Sequence, residues 1–170
     1  QALPLRGAAP VLAEALRSVR TEPCWSVVAA WPVALPLRTD ELRGSDEVLH
    51  SARRDDHRPG RGRSGTRWVL QAGAYWSANN LDVRPQDVGQ RLLDAFVRAA
   101  GVRLARPSYL SAHLWRQARV AEPLAQPYGW SDEWQVGTCG DAWHALEGVD
   151  GAERAWLSAQ ALAAHLAARR

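Results

Sequence analysis

The sequence has no lysine and no methionine, a single phenylalanine and only two cysteines. Its net charge of +3 therefore rests on arginine alone. These arginines are scattered apart from Arg53, Arg54, Arg58, Arg61, Arg63 and Arg67, and so small and dispersed an excess gives no footprint for nucleic acid. Cys24 and Cys139 are too few to form a disulfide framework, and a chain that is 46% hydrophobic can bury a core without one. A reduced, cytoplasmic setting is the expectation. No apolar run approaches the roughly 18 residues of a membrane span, and no charged-then-apolar leader precedes the chain, so neither membrane insertion nor a signal peptide is expected. A start at Gln1 in a chain without Met leads us to expect a processed or truncated product.

Several catalytic signatures are missing as well. Cys24, Cys139 and the histidines at 50, 57, 113, 144 and 165 lack the spacing of zinc ligands, which leaves no metal site to propose. Ser26, Ser77 and Ser158 do not sit in a G-x-S-x-G elbow, which argues against a hydrolase triad. There is also no G-x-G-x-x-G turn, and hence no complete dinucleotide-binding unit.

What is present reads as a mixed α/β fold, and nothing in a length of 170 residues demands two independent domains. Val11, Leu12, Ala15, Leu16 and Val19 recur at helical spacing behind Pro10. Cys24 to Trp31 is aromatic and β-branched and closed by Pro32, as a buried strand would be. Within the aperiodic stretch from Pro36 to Arg67 only Glu47 to Arg53 suggests a strand; Arg67 to Ala72 forms the next, followed by a turn over Tyr75 to Asn80. Pro85 opens and Gly101 closes a helix with Val88, Leu92, Leu93, Phe96 and Val97 on its apolar face. Ser111 to Gln117 is extended, and Trp134 to Thr138 is a further short strand. The last helix runs from about Gly151 to Ala168, capped by Asp150 with Glu153. Its apolar positions cover most of its circumference, which predicts burial on several sides.

The order Val136-Gly137-Thr138-Cys139-Gly140-Asp141, then a capped helix, is a strand, a glycine turn, an acid and a helix N-terminus. Such a turn brings backbone and carboxylate close to a sugar-like hydroxyl chain, and free helix amides can face an electron-rich carbonyl. An ordinary strand-to-helix connection would read the same way.

Four blocks give this chain a resemblance to renalase-like and amine-oxidase-like oxidoreductases that use flavin adenine dinucleotide (FAD). They are Glu22-Pro23-Cys24-Trp25-Ser26; Arg58-Pro59-Gly60-Arg61 with Trp68-Val69-Leu70-Gln71-Ala72 and Trp76-Ser77; His113-Leu114-Trp115-Arg116-Gln117-Ala118; and Cys139-Gly140-Asp141 with Glu153-Arg154-Ala155-Trp156-Leu157-Ser158. The resemblance implies a substrate-domain sheet with packed helices over 1–133, and over 134–170 the last strand and helix of a Rossmann-like FAD-binding layer. It implies that Gly140 and Asp141 meet the ribityl chain of FAD, with Glu153, Arg154 and Ala155 beneath the pyrimidine end of the flavin. The whole enzyme, by the same resemblance, would oxidise a nicotinamide-type or amine substrate and pass two electrons through flavin to dioxygen.

The family's Gly-rich N-terminal half has no counterpart here, so the resemblance also implies that a missing half or a partner chain completes the site, and that this chain alone is inactive. Arg154 stands where a small residue is usual, Ala159 where Gly is common and Gln117 where an aromatic is usual. His113, Trp115 and Arg116 are either cavity-lining or core, and Trp76 is either a cavity wall or core. The arginine-rich loop either holds a phosphate or is a solvated basic segment. The rival reading is a cofactor-free binding or structural domain completed by a partner.

Overall fold

The computed structural model describes residues 9–57, 59–60 and 65–169. Its elements run α1 (Pro10–Ser18), β1 (Arg20–Trp31), β2 (Glu41–Arg43), β3 (Leu49–Arg54), β4 (Thr66–Ala72), α2 (Ala74–Ala78), α3 (Pro85–Ala100), β5 (Tyr109–Glu122), β6 (Gly129–Ser131), β7 (Val136–Thr138) and α4 (Gly151–Ala168). Among the described residues the fold is mixed α/β, with four helices and a five-stranded sheet in the order β2-β3-β4-β1-β5. The chain divides into two compact units, Pro23–Ala118 on one hand and Gln1–Glu22 with Arg119–Arg170 on the other.

In the Pro23–Ala118 unit, alternation sets the sheet. Thr66, Trp68, Leu70 and Ala72 of β4 all turn inward, as do Trp25, Val27, Ala29 and Trp31 of β1. The two strands pair antiparallel from Ser26↔Gln71 to Trp31↔Thr66. β3 also pairs antiparallel with β4, with a register irregularity between Leu49 and Ser51. α3 lays Val88, Leu92, Leu93 and Phe96 on this face, and the Phe96 ring sits 5.0 Å from that of Trp68. Pro85 begins α3, and Gly101 ends it with φ 66°, a left-handed conformation that glycine adopts without steric cost. Arg98, near the C-terminus of α3, reaches Asp46 at 2.7 Å, and the same carboxylate accepts the Val48 and Leu49 amides where β3 starts.

The other unit has a much smaller core. Ala9, Leu12 and Trp143 are buried, with Leu16, Leu124 and Val136 packed around them. β6 and β7 form a two-stranded hairpin whose turn includes Gln135 at φ 50°. Gly129 lies under Trp143 so closely that an added methyl would come within 2.5 Å of Cζ2 of that ring. His165 of α4 stacks near Trp130 and Tyr128 of the hairpin region, with ring centroids 4.8 and 5.3 Å away. Arg169 covers Trp130 at 5.1 Å and pairs with Asp132 at 2.7 Å.

The structure corrects three local expectations. Tyr75 to Asn80 is not simply a turn: Ala74–Ala78 is a helix, whose last carbonyls are met by the Asn79 and Asn80 side chains on Tyr75 O and Trp76 O. The aperiodic stretch contains a short edge strand, β2, which three residues cannot announce by periodicity. α4 is not buried on several sides. Ser158 is its one buried residue, and Trp156 and Leu166 are 59% and 45% exposed. Four of the eight apolar positions read around α4 are alanines, which favour a helix through propensity and carry little surface that needs burying.

Among the described residues no helix is long and apolar enough to cross a membrane.

Candidate functional site

β7 ends at Thr138, and the chain then turns through Cys139, Gly140 and Asp141. Gly140 has φ 140°, which an L side chain rarely adopts, and its amide donates to Ser158 Oγ of α4 at 3.2 Å. That hydroxyl is fully buried and ties the turn to the second turn of the helix. Ten residues after Asp141 the chain comes back alongside it at the start of α4. A Cβ on Gly151 would lie 3.7 Å from Asp141 Oδ2, so the carboxylate stands beside the first residue of α4.

The helix start is built as its sequence implies. The Asp150 side chain accepts the Glu153 amide at 3.0 Å, and the Arg154 amide bonds the Asp150 carbonyl at 2.9 Å. The amides of Gly151 and Ala152 keep no intrahelical acceptor, so the positive end of the helix faces the surroundings of Asp141. Arg154 folds back rather than outward. It donates from Nη2 to the Val149 carbonyl at 2.8 Å and from Nη1 to the Asp141 carbonyl at 3.5 Å, while its buried Nε has no partner among the described residues. Gly140, Asp141, Glu153, Arg154 and Ala155 thus form one locality. Ser158 joins them, and the signal that finds it is a small polar residue on the narrow inward stripe of α4, one turn after Arg154.

The residues singled out for a substrate cavity lie in the Pro23–Ala118 unit. His113 and Trp115 share the exposed side of β5 and meet edge to face, with centroids 4.6 Å apart. Trp115 is 56% exposed, and Arg116 is exposed beside it. Trp76 is elsewhere, buried in the core under the sheet. Its neighbour Ser77 accepts the Trp25 amide at 3.1 Å, which explains why a polar residue sits there fully buried.

The arginine cluster is largely tied up in ion pairs where it is described. Arg53 reaches Glu41 at 3.5 Å, and Arg54 reaches Asp40 at 3.4 Å and Asp56 at 3.3 Å. Asp56 is buried, which opposes its charge. The Arg67 amide at 2.8 Å and the Arg54 guanidinium outweigh that burial and hold its carboxyl below the usual range. Arg58, Arg61 and Arg63 lie outside the described residues.

Cys24 is buried, with its thiol donating to the Trp25 carbonyl at 3.4 Å, and Cys139 is an exposed free thiol. Among the described residues no group of three or more His, Cys, Asp and Glu side chains is placed to hold a metal ion. No family model matches the chain.

Proposed function

We propose that this chain is the C-terminal portion of an FAD-dependent oxidoreductase of the renalase-like and amine-oxidase-like kind, with the Gly140-Asp141 turn and the start of α4 as its part of the cofactor site. The observation that carries the reading is the convergence of a positive-φ glycine turn, a carboxylate and the first two amides of α4 at one place. A ribityl hydroxyl needs an acceptor of the kind Asp141 offers, and the electron-rich end of a reduced flavin needs donors and positive potential of the kind a helix N-terminus offers.

Bound there, the flavin would supply two-electron transfer from a nicotinamide-type or amine substrate to dioxygen. The chain's own contribution is positional. Asp141 would accept hydrogen bonds from the sugar-like chain, Gly140 would allow close backbone approach, and Ser158 would hold that turn on α4. Glu153 and Ala155 would underlie the pyrimidine end, and Gly151 and Ala152 would direct their amides toward it. Arg154 would add a guanidinium where relatives place a small residue. Under this reading 134–170 belongs to a Rossmann-like layer and 1–133 to a substrate-domain portion, with His113 and Trp115 on a face of β5 available to a cavity and Arg116 on the opposite face. A missing N-terminal half or a partner chain would supply the pyrophosphate contacts.

The rival reading, a cofactor-free domain completed by a partner, draws support from the exposure of Trp156 and Leu166 on α4, which suits a covering chain as well as it suits a flavin layer. The two separate in a simple experiment. The longest open reading frame that contains this chain is expressed, incubated with FAD, gel-filtered and examined by visible absorbance. A retained flavin band is the expected result. A folded, colourless protein would favour the rival.

A further inference from the structure

We propose that a groove between the start of α3 and the start of β5 binds a small carboxylate with an apolar body, independently of any flavin. The groove has a volume of about 350 Å³, at the lower end of the range of small-molecule sites. Pro85, Gln86, Gly89 and Gln90 of α3 form one wall, and Leu110 and Ala112 of β5 the other. Gly89 sets its shape. A Cβ there would stand 3.4 Å from Leu110 Cδ2 and 4.0 Å from the Ala112 methyl, so the glycine leaves the floor open where any side chain would narrow it.

The electrostatics select the ligand. Arg106 is the one charged residue lining the groove among the described residues. It forms no ion pair among the described residues, in contrast to Arg84, which binds Asp87 at 2.9 Å, and Arg98, which binds Asp46 at 2.7 Å. α3 starts without a side-chain cap; Pro85 has no N–H and the Asp87 amide bonds the Arg84 carbonyl at 3.0 Å, so what the same wall gains is the Gln86 amide and the positive end of a 16-residue helix. A guanidinium takes a carboxylate in a bidentate fork, and one guanidinium matches one such group rather than a multiply charged phosphate. Pro85, Leu110 and Ala112 then give an apolar body something to cover.

The test is a titration of the ¹⁵N-labelled chain with benzoate, with benzamide as its neutral isostere and inorganic phosphate as an anion without an apolar body. Benzoate is expected to shift the amides of Gln86, Gly89 and Leu110 saturably, and to bind at least about tenfold more tightly than benzamide or phosphate. Arg106→Gln is expected to reduce benzoate to the level of benzamide; because Arg106 is exposed, the rest of the spectrum should stay in place. Arg106→Lys, which keeps the charge but not the fork, should recover part of the preference. Equal binding of benzoate and benzamide, shifts centred elsewhere, or an Arg106→Gln protein that binds benzoate unchanged would each overturn the proposal.

Discussion

Arg154 carries its charge back over the first turn of α4, onto the carbonyls of Val149 and Asp141, at a place where the resemblance calls for a small side chain. Removing it tests whether this locality meets a flavin. Arg154→Ala keeps good helix propensity and should tighten FAD binding in the complete protein by about 1 kcal/mol, roughly fivefold, as measured by flavin fluorescence titration. Unchanged affinity would remove Arg154 from the cofactor's surroundings. Asp56 tests stability instead. Its charge is held by the Arg67 amide and Arg54 against the cost of burial, so its carboxyl titrates lower in the folded chain than in the unfolded one. The linkage sign follows: the unfolded state binds the proton more readily, so the stabilisation is full at neutral pH and is lost as pH falls below about 4. Asp56→Ala should cost about 2 kcal/mol at neutral pH by urea denaturation and flatten the loss on acidification. An acid limb identical to that of the parent chain would contradict this.

Elements differ in how much of themselves the sequence announces. α3 carries every signal at once, with Pro85 at its start, Asp87 in its first turn, a clean apolar face and Gly101 at its end, so both its span and its buried face were legible. β1 and β4 were legible because aromatic and β-branched content coincides with burial, although Arg20 to Pro23 at the start of β1 carries no such signal. The hairpin of β6 and β7 was only half legible: its three-residue strands are fixed by Gly129 fitting under Trp143, a contact no local pattern encodes. The cap of α4 was legible from Asp150 and Glu153, but the helix's exposure was not, because alanine reads as apolar whether or not anything covers it. The Gly140-Asp141 turn could be picked out by spacing, whereas its anchor on Ser158 depends on how α4 is rotated. Two substitutions test these elements by thermal unfolding. Asp150→Ala should lower stability by about 1 kcal/mol through loss of the cap. Gly129→Ala should cost about 2 kcal/mol or more, since the Trp143 ring must move. A neutral Gly129→Ala would show that the packing of Trp143 does not set the hairpin.

Across the whole molecule, the two units are built on unequal cores. The sheet of the Pro23–Ala118 unit buries Trp25, Trp31, Trp68 and Phe96 with their neighbours, whereas among the described residues the apolar cluster of the other unit is built on Ala9, Leu12 and Trp143. Amides of β6, β7 and α4 should therefore exchange with solvent well ahead of those of β3, β4 and α3 in native-state hydrogen exchange. Uniform protection would contradict that ranking. A proposed cofactor locality in the less buried unit also gives a reason for ligand and stability to be coupled, because a group that binds only the folded form adds its binding energy to the fold. The most direct test of the central claim is FAD retention by the longest reading frame containing this chain, compared with its Asp141→Ala variant. The account expects a stoichiometric flavin band in the first and affinity weakened by about 1.5–3 kcal/mol, roughly ten- to a hundredfold, in the second. A folded protein that retains no flavin, or an Asp141→Ala variant that binds FAD as tightly as its parent, would contradict it.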